Sequence, residues 1–162
     1  MVREISSGGI VVRQAESGWE IAVIEPQSEP VSSSPRPKGK KQSQKVVLAL
    51  PKGLVDPGEK PAETAVREVR EETGLEATVA TKLGDIRYVY TRTWGDQQRV
   101  FKIVSFYLLR FESGHIDDIP PEMRLEVKRA LWMPLDQAIE KLAYRGEKEM
   151  AQRAAKYLAP SV

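Results

Sequence analysis

Apolar and polar positions change period several times along this chain, and each change marks an element. Residues 3 to 14 and 19 to 25 alternate or run apolar over strand lengths, and "AESG" between them reads as a turn. "VVLAL", residues 46 to 50, is a short apolar run that predicts a buried strand. The period then becomes helical over residues 61 to 73, with Pro61 suited to a first turn and Gly74 to a C-terminal stop. Strand material returns at residues 76 to 92, as "ATVATKL" and "IRYVYTR". The turn "TWGDQQ" leads into "RVFKIVSFYLLRF", the longest strand signal. "ESGHIDDIPPEM" reads as a loop, "RALWMPL" as a last strand, "DQAIEKLA" as a helix from Asp136, and "EKEMAQRAAKYLA" as a C-terminal helix. Strands, helix, strands, helix predicts a mixed α+β fold with a helix packed on a sheet.

Residues 26 to 45, "PQSEPVSSSPRPKGKKQSQK", break the pattern. They are rich in Pro, Ser and Lys and nearly free of apolar side chains, so they predict a flexible basic loop inserted in one domain of 162 residues. A net charge of +2 gives bulk charge no pull toward nucleic acid or a membrane surface. No apolar run reaches membrane-spanning length, and the N-terminus lacks the apolar core of a signal peptide, which predicts a cytoplasmic protein. With no Cys, disulfides, thiolate metal sites and a Cys nucleophile are excluded. A single His leaves one candidate for a Ser-His-Asp triad and excludes a multi-His metal site within one chain.

The chemistry concentrates in the first helix. At about 100° per residue, Ala62, Ala65, Val66, Val69 and Thr73 form one stripe, and Glu68, Glu71 and Glu72 fall on the arc beside it. Like charges three and four apart repel, and burial at the edge of a core raises their pKa values. A hard divalent cation relieves both costs, and Mg²⁺ takes carboxylate oxygens while sharing its shell with phosphates.

The preceding loop is "LPKGLVDPGE". Gly53 leads Glu59 by six positions, Glu59 leads Arg67 by eight, and Glu68-Val69-Arg70-Glu71-Glu72-Thr73-Gly74-Leu75 follows. This pattern, G-x5-E-x7-R-E-U-x-E-E-x-G-U with U aliphatic, fixes nine positions over residues 53 to 75. It resembles the signature of the Nudix hydrolases. The resemblance implies a mixed sheet between helices, an α/β/α sandwich, and metal-dependent cleavage of a diphosphate bond in a nucleoside-diphosphate-linked compound. It implies Glu68, Glu71 and Glu72 as metal ligands, with Gly53 and Glu59 at the same site, and Arg67 orienting the cluster, plausibly through Glu59. The cofactor implied is Mg²⁺, with Mn²⁺ as the alternative, and the partner is a small nucleotide or polyphosphate bound by a monomer or homodimer.

Three features bear on the substrate. "LPKG" is similar to the loop of the diadenosine polyphosphate and diphosphoinositol polyphosphate branches and of some nucleotide-sanitising members, which makes Lys52 a phosphate contact or a solvated Lys. Glu126 stands six residues before Trp132, similar to a pair in the diadenosine tetraphosphate hydrolases. That makes Glu126 a candidate general base or extra ligand, ahead of Glu122. Tyr88 and Tyr90 share a strand face, and Lys102 lies opposite Phe101 and Ile103. Tyr90 and Lys102 are thus candidates to stack a base and bind its phosphates, or else ordinary sheet residues. His115 reads as structural. The leading substrate is a dinucleoside polyphosphate such as diadenosine tetraphosphate. The alternatives are a nucleoside triphosphate, a diphosphoinositol polyphosphate, or a sensing module without catalysis.

Overall fold

A computed structural model describes residues 2–27, 46–93, 95 and 97–159. The expected basic loop therefore lies outside the described residues from 28 to 45, as do Trp94 and Asp96 of the expected turn. Six strands and two principal helices carry the architecture. They are β1 (Val2–Ala15), β2 (Gly18–Pro26), β3 (Lys52–Leu54), α1 (Pro61–Thr73), β4 (Leu75–Thr91), β5 (Arg99–Gly114), β6 (Val127–Pro134), the short α2 (Leu135–Lys141) and α3 (Arg145–Leu158). A 3-10 turn over Pro121–Leu125 precedes β6.

The sheet runs β4-β5-β1-β2-β6, with β3 paired to β1 beside that path. β1 and β5 are parallel, and the other pairings are antiparallel. The sheet is thus mixed, and helices cover both faces. Alternation along β1 makes this visible. Ile10 and Val12 join Phe106, Leu108, Leu142, Met150 and Ala154 in the core under α2 and α3. Val11 points the other way, to Val69, Leu75 and Leu109 under α1.

Three expectations need correction. "VVLAL" is not a strand. Val46 and Val47 are exposed, and only Leu48 and Ala49 form isolated bridges, to Leu142 and Ile24. Pro51 has no N–H to extend a ladder, so the chain leaves Ile24 and crosses to β1, where the Gly9 N–H donates to the Pro51 carbonyl at 3.2 Å. Lys52–Leu54, read as loop, is the strand β3, set against Ser6 to Gly8. The two strand signals at 76 to 92 are one long bent strand, whose register against β5 slips between Glu76 and Ala77, Val79 and Thr81, and Lys82 and Gly84.

α1 starts and stops where the periodicity places it. The Lys60 N–H donates to the Glu63 carboxylate at 3.0 Å, and the Ser7 hydroxyl donates to the Pro61 carbonyl at 2.6 Å, pinning the first turn to β1. Gly74 ends the helix at φ 84°, where a Cβ would lie 2.6 Å from the Asp118 carbonyl oxygen.

Candidate active site

β3 and α1 meet edge to face, and Gly53 is the point of contact. A Cβ there would sit 2.2 Å from Glu68 Oε1, so only glycine lets the strand come this close to the helix. Glu68 and Glu72 are 8% and 6% exposed. They lie within the buried face of α1, with Ala65, Val69 and Thr73, not at its edge as the wheel predicts. The wheel assumes that the apolar stripe alone is buried, but β3 and its loop cover the adjacent arc too. Glu71 keeps the border position, with its side chain 36% exposed.

Arg67 organises this cluster. Its Nε donates to Glu59 at 2.7 Å, and its Nη2 donates to Glu59 at 3.0 Å and to the Leu54 carbonyl at 3.1 Å. Its Nη1 donates to Glu68 at 3.0 Å and Glu71 at 3.1 Å. The Thr64 hydroxyl adds a 2.5 Å bond to Glu59. These bonds, chiefly that from Arg67, hold the Glu59 carboxyl down at about 2. Glu72 turns the other way and accepts the Lys52 N–H at 2.8 Å.

The two buried carboxylates behave differently from Glu59. Burial pushes Glu68 up to about 7; Arg67 opposes the rise, and the charges of Glu71 and Glu126 add to it. Burial pushes Glu72 up to about 8, against the Lys52 N–H bond, with Glu68 and Glu126 adding again. Glu126 is exposed at the end of the 3-10 turn, yet it acts on both. Among the described residues, no three acidic side chains converge on one point at ligand distance, and Arg67 Nη1 bonds two of them. The donor set nonetheless fits a hard divalent cation. It is all oxygen, and burial together with neighbouring carboxylates pushes Glu68 and Glu72 up, a cost that a cation would relieve.

On the opposite face of the sheet lies a cavity of about 450 Å³. Val104, Phe106 and Ile86 supply apolar walls, Tyr88 and Tyr144 are half-exposed, and Lys52 and Glu147 are the charged lining. Lys52 Nζ bonds Glu147 at 2.5 Å and lies 5.2 Å from the Tyr144 ring centre. Further along the same face, Glu4 accepts a hydrogen bond from the Tyr90 hydroxyl and pairs with Lys102 at 3.6 Å. The Tyr88 and Tyr90 rings stand 6.2 Å apart.

A family model described as the NUDIX domain matches residues 17–157. The chain belongs to the Nudix family. The putative mutator protein MutT4 of Mycobacterium tuberculosis is 38% identical over 110 residues, which are 68% of this chain and 42% of that protein. The chain thus spans less than half of that relative's length. The mouse asymmetrical bis(5'-nucleosyl)-tetraphosphatase is 33% identical over 110 residues, covering 67% of this chain and 69% of its own. The crystal structure of a C. elegans Ap4A hydrolase binary complex superposes with a TM-score of 0.66 at 18% identity, over 96% of this chain and 97% of that one, and shows the shared fold.

Within this Nudix domain, Gly53, Glu59, Arg67, Glu68, Glu71 and Glu72 come together on one side of the sheet, with Glu126 at their edge. Lys52 spans both sides: its N–H faces Glu72, while its ammonium faces the cavity instead of the cluster. Tyr90 and Lys102 stand together through Glu4, apart from the cavity lining. Trp132 packs edge-on against Phe111 with Arg13 over its ring, away from Glu126's exposed carboxylate. His115 is exposed, and its carbonyl accepts the Asp118 N–H. Sequence reasoning passed over Tyr144, Glu4 and Glu147. Glu147 did leave a signal: it shares the helical stripe of Met150, Ala151 and Ala154, a charge on the buried face of α3.

Proposed function

We propose that this chain hydrolyses a phosphoric anhydride bond in a nucleoside-diphosphate-linked compound with the help of Mg²⁺, Mn²⁺ being the alternative ion. The observation that carries this reading is the buried pair Glu68 and Glu72, Glu68 packed against Gly53 and Glu72 bonded to the Lys52 N–H, both carboxyls pushed up by burial. When bound, the cation neutralises phosphate oxygens and acidifies a coordinated water. Glu68, Glu71 and Glu72 would hold it. Arg67 keeps Glu68 and Glu71 at hand through one nitrogen, itself anchored on Glu59 and the Leu54 carbonyl. Glu126, exposed and close enough for its charge to act on Glu68 and Glu72, would accept the proton of the attacking water as its oxygen bonds to phosphorus. The bridging P–O bond breaks, and the leaving phosphate takes the electron pair.

The aromatic cavity takes the base. Tyr88 and Tyr144 offer faces for stacking, and Lys52 links that cavity to the cluster within one residue. Lys102 and Tyr90, beyond Tyr88, extend a polar track for a longer phosphate chain. The preferred substrate in this reading is a dinucleoside polyphosphate, which also agrees with the likeness to the mouse tetraphosphatase. A nucleoside triphosphate is the second reading, which agrees with the likeness to an 8-oxo-(d)GTP phosphatase of Mycolicibacterium smegmatis, 31% identical over 108 residues. The test is hydrolysis of a panel of dinucleoside polyphosphates, nucleoside triphosphates, nucleotide sugars and ADP-ribose with Mg²⁺, with products separated by anion exchange. The expected result is the highest kcat/KM on diadenosine tetraphosphate, giving ATP and AMP. A higher value on nucleoside triphosphates would favour the second reading, and no turnover of any compound would refute both.

A further inference from the structure

Glu147 is 3% exposed and comes from the opposite side of the sheet to α1. A carboxylate in the first turn of α3, on its buried stripe, is costly unless it is fully bonded. Both of its oxygens are engaged with one short segment. Oε1 accepts the Leu50 N–H at 2.7 Å, and Oε2 takes the Lys52 ammonium at 2.5 Å. That segment is also the one that touches the carboxylate cluster: the Lys52 N–H donates to Glu72, and Gly53 abuts Glu68. The chain from Glu147 through Lys52 to Glu72 therefore crosses the sheet. Residues 50 to 53 are held from both sides, with the Pro51 carbonyl tied to the Gly9 N–H between them.

Resting on the hydrolase reading above, we propose that Glu147 is a positioning residue for the carboxylate cluster. By fixing Leu50 and Lys52, it sets the height of the Lys52 N–H under Glu72 and of Gly53 under Glu68. Without it, the Lys52 ammonium is released into the cavity it lines, and the strand that shapes the cluster keeps only its pairing to β1 and its bond to Glu72. Partners that orient metal-holding groups matter nearly as much as the groups themselves. Glu147 lines the cavity but bonds none of the cluster's carboxylates, so its effect on metal binding must pass through the strand.

Three variants test this. Glu147→Ala removes both bonds, Glu147→Gln keeps an acceptor for Leu50, and Lys52→Met keeps the backbone N–H but loses the ammonium. Mn²⁺ affinity is measured by electron paramagnetic resonance without substrate, alongside melting temperature, kcat and KM. Glu147→Ala is expected to weaken Mn²⁺ binding and lower kcat each by about tenfold, the lower end of what such supporting partners contribute. Glu147→Gln should recover part of both, and Lys52→Met should weaken Mn²⁺ binding in the same direction. A Glu147→Ala protein that melts earlier, yet binds Mn²⁺ and turns over like the parent while folded, would make Glu147 merely structural. If Glu147→Ala does not fold, parent-like Mn²⁺ affinity in both Glu147→Gln and Lys52→Met would overturn the proposal. A parent protein that cleaves nothing would refute the hydrolase reading, while the Mn²⁺ titration would still decide the coupling.

Discussion

Glu71 and Glu72 are chain neighbours in unlike surroundings, and that difference can be measured. Glu72 is buried, its carboxyl pushed up to about 8, and it accepts a hydrogen bond from the Lys52 backbone N–H. Glu71 is part-exposed and paired with Arg67. Replacing either by Gln should lower kcat at least about a hundredfold, since a single electrostatic contact in such a site is worth roughly 3 kcal/mol. Stability should separate the two. Glu72→Gln removes a buried charge at pH 9 and should raise the melting temperature of the metal-free protein, whereas Glu71→Gln loses an ion pair and should not. Kinetics and thermal melts in EDTA decide; activity within twofold of the parent in both variants contradicts the assignment. The box residues were legible because their spacing is local. Glu147 and Glu4 were not, because their partners are 95 and 86 positions away and only folding brings them together.

At the scale of the element, α1 carries a pH dependence whose sign follows from its two raised carboxyls. Glu68 at about 7 and Glu72 at about 8 bind protons in the folded state more tightly than the ordinary value of 4.5 allows in the unfolded chain. Their contribution to stability is therefore fully present below about pH 4.5 and is lost as pH rises through 7 and 8. Glu59, held at about 2, works the opposite way, but only in acid. Between pH 6 and 9, the metal-free protein should lose stability in urea denaturation, Mg²⁺ should restore it at pH 9, and the Glu68→Gln/Glu72→Gln double variant should flatten the curve. A parent curve that rises from pH 6 to 9 in EDTA would contradict the burial of these two groups. The limits of α1 were readable because Pro61 and Gly74 punctuate a helical period. The segment before it was not: an apolar run such as Val46 to Leu50 reads as a strand whether or not it has a partner, and Pro51 had already ended its ladder. β3 escaped because a Gly-containing stretch three residues long carries no period.

The whole molecule is a mixed sheet between α1 and the α2–α3 pair, with its acidic cluster on one face and its aromatic cavity on the other. Element order was enough for the α+β class, while the two helical layers came from the family resemblance. It did not give the parallel pairing of β1 with β5, which joins residues about a hundred positions apart and leaves no mark on local periodicity. That pairing shapes the cavity, because it lays Val104 beside Ser6 and Phe106 beside Gly8, which itself pairs with Lys52. Among the described residues, no helix is long and apolar enough to cross a membrane. The central claim is that the box carboxylates cleave a diphosphate bond only with a divalent cation. The most direct test follows ATP and AMP release from diadenosine tetraphosphate by anion-exchange chromatography, in Mg²⁺, in excess EDTA, and after Mg²⁺ is returned. The account predicts turnover in Mg²⁺, its loss in EDTA and its recovery on readdition; undiminished turnover in excess EDTA would contradict it.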